Sequence, residues 1–212
     1  CPIAVRPVLI PFSDYAKKPT QEIIDRYDND GYVNFIFVGR IAPNKKQEDV
    51  IRAFSCYQRF CNPKSRLILV GSWSGAESYY RRLCRYTAAL QAENVLFTGH
   101  IPFPDILAYY HVADLFLCMS EHEGFCVPLV EAMYFGVPIL AYRACAVPDT
   151  LGDSGILLDK KDPMETAMVA DRILTDTSLR RELVARQRRR QQDFSYGAVR
   201  ALLESQLREF LK

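Results

Sequence analysis

Short apolar runs alternate with helically patterned segments along most of this chain, and that alternation constrains its fold more than any other feature. "NFIFVGR" (34–40) is a continuous apolar run of the length of a buried strand. The segment "QEDVIRAFSCYQRFC" follows, with Val50, Phe54, Tyr57 and Cys61 on one helix face. "RLILVGS" (66–72) reads as a second strand, and "AESYYRRLCRYTAAL" repeats the helical spacing with Tyr79, Leu83, Tyr86 and Leu90. "VLFTG" (95–99), "LFLCMS" (115–120), "PILAY" (138–142) and "GILL" (155–158) supply four further strands, with a helix at "PDILAYYHVA" between the first two of them. After Met119 comes "SEHEGFCVPLVEAMYFGVP", where Pro128 suits a first helical turn and Gly136 with Pro138 stops the helix. Three helices are expected over 163–175, 178–192 and 196–211. Strand–helix alternation of this kind specifies an α/β, Rossmann-like, doubly wound parallel sheet with helices on both faces.

Such a sheet binds ligands outside the carboxyl ends of its strands. The loops after the strands therefore share one rim: Gly39-Arg40, Gly71-Ser72, Gly99-His100, Ser120 to Gly124, and Tyr142-Arg143. In "GRIAPNKK", Arg40 offers a planar fork and Lys45 and Lys46 offer point charges beside a helix start, a set that suits a diphosphate. Lysines at a loop tip are also commonly just solvated. In "EGFCVPLVE", Gly124 lets a ligand approach the backbone, and the loop before Pro128 presents free amides. Glu131, about one turn into the helix, can accept two ribose hydroxyls, and Glu123 can hold another hydroxyl-rich group. Taken alone, the two glutamates are better read as a helix-start acid favoured by the dipole and a solvated loop acid.

"FVGRIAPNKKQEDVI", "LILVGS", "VLFTGHIP", "ADLFLCMSEHEGFCVPLVEAMYFGVPILAY" and "GDSGILLD" together resemble the nucleotide-binding, C-terminal half of GT-B glycosyltransferases of family 4, over about residues 32–175. The resemblance implies a retaining transferase that moves a hexose from a nucleotide-diphosphate sugar to a glycan or a lipid-linked glycan. It implies Arg40, Lys45 and Glu123 as the catalytic set, the first two gripping the diphosphate without a metal or any other cofactor. Glu131 would bind the ribose, and Glu123 with the backbone of Gly124, Phe125 and Cys126 would hold the sugar. Val127 would offer its amide to the phosphates, Ile101 its main chain to the base, and Gly39 and Gly71 would keep the rim open. The sequence departs from the family at two places where glycine is common, Lys46 and Cys126. The alternatives are a binding-only module and a GT-B-type epimerase or phosphorylase.

The resemblance also divides the chain into a lead-in at 1–31, a donor-binding domain at 32–195, and a last helix at 196–212 that would cross to an N-terminal acceptor domain. The chain starts without Met and reads as mid-protein. Four prolines, Pro2, Pro7, Pro11 and Pro19, and little periodicity mark the lead-in. Seven cysteines lack metal-ligand spacing and read as reduced thiols, which favours a cytoplasmic setting. A net charge of +2 gives no global attraction to nucleic acid. Arg186, Arg188, Arg189 and Arg190 form a basic run that fits a solvated face or a contact with acidic lipid at the inner face of a membrane. "DNDG" (28–31) reads as a turn rather than a metal site, and "GSWSG" has Trp73 where a nucleophile elbow needs serine. His100, His111 and His122 show no ligand spacing.

Overall fold

The computed structural model describes residues 8–210, with the side chains of 209 and 210 left aside; Cys1, Pro2 and Pro7 lie outside the described residues. In chain order the elements are α1 (Phe12–Tyr15), α2 (Gln21–Tyr27), β1 (Val33–Val38), α3 (Gln47–Phe60), β2 (Ser65–Val70), α4 (Glu77–Ala89), β3 (Val95–Gly99), α5 (Phe103–His111), β4 (Leu115–Cys118), α6 (Val127–Phe135), β5 (Ile139–Tyr142), α7 (Val147–Leu151), β6 (Ile156–Leu158), α8 (Pro163–Thr175), α9 (Thr177–Arg190) and α10 (Tyr196–Phe210). The six strands form one sheet in the order β3-β2-β1-β4-β5-β6. All its pairings are parallel. The order reverses between β1 and β4, which opens a crevice at their carboxyl ends.

Each strand feeds two cores by its alternation. Ile36, Ile68, Phe116 and Ile139 face α5 and α6. Phe35, Phe37, Leu67, Leu69, Leu115 and Leu117 face the other side, where α3, α4 and α8 lie. On α3, Val50, Phe54 and Tyr57 are buried as their spacing requires, and Cys61 caps the helix half-buried. Asp162 caps α8 by accepting from the Glu165 amide at 2.8 Å, and Asp176 caps α9 through the Ser178 and Leu179 amides. Such caps contribute about 1 kcal/mol each.

The lead-in carries more structure than its prolines suggested. Tyr15 on α1 packs among Phe12, Phe103, Tyr134 and Phe135. Between α1 and α2, the Thr20 hydroxyl meets Asp105 at 2.5 Å and its amide donates to the Pro104 carbonyl at 3.2 Å. The two helices are 4 and 7 residues long, too short to show a repeat. "DNDG" is a turn, with Asn29 and Gly31 at positive φ and Asp30 accepting from Arg66 and the Tyr32 amide. The basic run divides: Arg186 pairs with Glu182, Arg190 turns inward to the Thr150 carbonyl and Asp193, and Arg188 and Arg189 are exposed. On α10, Leu202 and Leu207 are exposed and Leu203 is half-buried; Phe210's side chain lies outside the description. No described helix is long and apolar enough to cross a membrane.

Candidate functional site

The loop after β1 supplies the cations. At Gly39 (φ +152) the chain leaves the sheet, and the Gly71 backbone lies against it so closely that a Cβ on Gly71 would sit 2.0 Å from the Gly39 oxygen. Both glycines thus serve the contact between the β1 and β2 loops, which the Ile41 amide extends by donating to the Ser72 carbonyl at 2.9 Å. Ile41 is fully buried and anchors the loop. Arg40 is exposed, and its Nη2 donates to the Ser74 carbonyl at 3.0 Å, so its guanidinium lies along the β2 loop. A single 3₁₀ turn, Pro43–Lys45, then aims Lys45 across the crevice.

Lys45 Nζ meets Glu123 Oε2 at 2.7 Å, with the carboxylate side chain only 9% exposed. The same two loops are joined by the Glu121 amide donating to the Asn44 carbonyl at 2.9 Å. Lys46, next along, pairs with Glu121 at 3.2 Å, and Lys161 binds both Glu121 and Asp49. Hydrogen bonds from Lys161 and Lys46 hold the Glu121 carboxyl below its ordinary range.

The loop after β4 is shaped by its end. Cys126 takes left-handed backbone (φ +67) and starts α6, so the chain turns sharply back over the strand. Lys46 is left-handed too (φ +52) and starts α3. The two positions where the sequence departs from the family's glycine are therefore both left-handed, the conformation glycine adopts without steric cost. Gly124 is exposed, Phe125 half-buried, and the Thr150 hydroxyl holds the Phe125 carbonyl at 2.5 Å. Val127 is the first residue of α6, where amides lack intrahelical partners.

Glu131 lies one turn further into α6 and points into the protein. Tyr110 donates to its Oε2 at 2.7 Å and Tyr15 to its Oε1 at 3.2 Å. Burial pushes the Glu131 carboxyl above its ordinary value, against the two phenols that stabilise its charge. Burial and the Glu131 charge push both phenols up in turn. Neither tyrosine carries a signal of this role in the sequence: Tyr110 lies in a helical segment rich in apolar residues, and Tyr15 lies in the proline-marked lead-in. Cys118, at the end of β4, is another partner that sequence spacing hid, because only the reversal at Cys126 brings the two cysteines together.

At the outer rim, Ile101 is half-buried and packed on the α5–α6 core, while His100 is exposed. Trp73 stacks on Tyr80 with ring centroids 4.1 Å apart and covers Gly99, so it is a packed aromatic. His122 is exposed beside Cys145 at 3.8 Å, and His111 packs on the edge of Phe135. The six described cysteines are free thiols.

The rim thus joins cationic, acidic and amide-bearing loops over the switch point of a parallel sheet. A model of the family described as glycosyl transferases group 1 matches residues 20–190, and the chain belongs to that family. Among curated relatives, it is 26% identical over 187 residues to the serotype-specific mannosyltransferase WbdA of Escherichia coli, covering 87% of this chain and 22% of WbdA. It is 31% identical over 182 residues to the D-inositol 3-phosphate glycosyltransferase of Salinispora arenicola, covering 82% of this chain and 40% of that one. Among solved structures, Anabaena HepE in complex with UDP and glucose superposes with a TM-score of 0.79 at 22% identity, over 95% of this chain and 55% of HepE. The chain therefore spans well under two thirds of each of these proteins.

Proposed function

We propose that this chain is the donor-binding half of a retaining glycosyltransferase that uses a nucleotide-diphosphate sugar. The observation that carries the reading is the Lys45–Glu123 pair, a cation from the β1 loop and an acid from the β4 loop held 2.7 Å apart over the switch point. The names of the relatives, mannosyl- and glycosyltransferases, and the UDP and glucose bound by HepE support the donor class.

In this reading Lys45 leaves Glu123 for the donor diphosphate, and Arg40 swings from the Ser74 carbonyl to join it. Glu123 is then free to accept hydroxyls of the sugar, which also lies against the backbone of Gly124, Phe125 and Cys126. Val127 points its amide at the phosphates, Ile101 meets the base through its main chain, and Gly39 and Gly71 keep the two loops in register. Glu131, already aimed by Tyr110 and Tyr15, takes ribose hydroxyls on its remaining lone pairs. As the sugar–oxygen bond breaks, charge develops on the leaving diphosphate, and Arg40 and Lys45 stabilise it without a metal. Removal of either raises the barrier by about 2–4 kcal/mol. The acceptor, a glycan or lipid-linked glycan, would be supplied by an N-terminal domain to which α10 crosses. The exposed Arg188 and Arg189 suit contact with acidic lipid at a cytoplasmic membrane face.

A thermal-shift panel of UDP, GDP, ADP and their sugars tests the reading. A ligand at about 100 times its dissociation constant adds about 2.7 kcal/mol, which for a domain of this size is a rise of roughly 5–10 °C. One nucleotide series is expected to shift the melting temperature, and a panel without any shift refutes the reading.

A further inference from the structure

Beside the Lys45–Glu123 pair lies a cluster that shares Glu123 with the donor site and adds two thiols, of Cys118 and Cys126, that donor binding does not use. One sulfur each from Cys118 and Cys126 and one carboxylate oxygen of Glu123 lie within 4.8 Å of one another. The two cysteines are 1% and 6% exposed. Cys118 closes β4, and the left-handed turn at Cys126 returns the chain over the strand end it has just left, so the two thiols come from rigid flanks of one loop. Two thiols and a carboxylate are a donor set for a borderline-soft tetrahedral ion; magnesium and calcium call for oxygen alone. Zinc holds sulfur at about 2.3 Å, which sets neighbouring ligand atoms about 3.7 Å apart. Side-chain movements of about 1 Å would bring this cluster to that geometry.

We propose that Cys118, Cys126 and Glu123 form a zinc site, with water as the fourth ligand, whose occupancy blocks the donor loop. On binding, the two thiols become thiolates and their two protons pass to the buffer. The Zn2+ ion, two thiolates and one carboxylate carry a net charge of −1, and Lys45 is the adjacent counter-charge. Glu123 is then unavailable to sugar hydroxyls, and Lys45 is drawn to the metal site instead of to phosphate. The ion is a competitor at the site and not a cofactor. The blocking step rests on the donor-site reading; the metal site does not, and is read directly.

The reduced chain is titrated with Co2+ under argon. One equivalent is expected to give a thiolate-to-cobalt charge-transfer band and the visible bands of tetrahedral cobalt, both removed by Zn2+. Cys118→Ser and Cys126→Ser should each cut the charge-transfer band to half or less, while Cys145→Ser should leave it. If the serine variants do not fold, X-ray absorption of the zinc-loaded chain decides, with two sulfur neighbours expected at about 2.3 Å. Absence of the band, zinc neighbours that are nitrogen and oxygen alone, or a band lost only in Cys145→Ser overturns the site. One equivalent of Zn2+ should also weaken nucleoside-diphosphate binding at least about tenfold. Unchanged binding beside an intact cobalt spectrum overturns the blocking step.

Discussion

Replacing Lys45 with alanine strands Glu123. The pair is 2.7 Å long, with side chains 21% and 9% exposed, so it belongs neither to the surface nor to the deep core. Exposed ion pairs contribute about 0.2–1 kcal/mol, and breaking a fully buried one costs about 3–5 kcal/mol. Between these limits, Lys45→Ala is expected to cost about 2 kcal/mol, most of it from the nearly buried carboxylate left without its cation. Glu123→Ala should cost less, about 1 kcal/mol, because the lysine left behind has a long stem and can carry its charge into water. The double variant should lose about 2 kcal/mol rather than the sum, a coupling of about 1 kcal/mol. Urea unfolding of the four proteins at neutral pH measures these values. Coupling below about 0.5 kcal/mol, the ordinary scatter of independent sites, would show that the pair does not hold the two loops together.

Gly71→Ala places a Cβ 2.0 Å from the Gly39 oxygen at a φ of +149, and backbone cannot yield as a side chain can. It should lose more than about 3 kcal/mol, and an unchanged urea midpoint would refute the close approach of the two loops. Glu131 has its folded carboxyl raised by burial, so its contribution to stability is complete below the ordinary carboxylate value and fades as pH rises through the raised one. Glu131→Gln removes that loss: the variant should gain on the wild type as pH climbs from mildly acidic to neutral, and parallel stability curves would contradict the assignment.

The strands were legible as short apolar runs and the longer helices by their period. The strand at Val95–Gly99 and the helix at Pro163–Thr175 agree with the sequence reading to the residue, and the other strands differ only at their ends. The helix α7, at 5 residues, and the helices of the lead-in are too short to show a period, and tertiary contacts fix them. At the site, sequence order placed Lys45 and Glu123 on one rim, because parallel strands send all their following loops to the same edge. It could not show that they touch, that Arg40 lies on the Ser74 carbonyl, or that Glu131 is clasped by phenols from two other helices. Those facts depend on which helices become neighbours, and chain order alone does not state that. The left-handed turns at Lys46 and Cys126 were hidden for a different reason: neither residue is glycine, so the usual mark of that backbone is missing.

The central claim is that the chain's own cations seat a diphosphate at the rim. Calorimetric titration with UDP, GDP and ADP, in the presence of a metal chelator, tests it most directly. At least one nucleoside diphosphate is expected to bind, its parent nucleoside much more weakly, and the Lys45→Ala protein at least about tenfold more weakly than the wild type. No heat from any of the three, or equal affinity in wild type and Lys45→Ala, would contradict it.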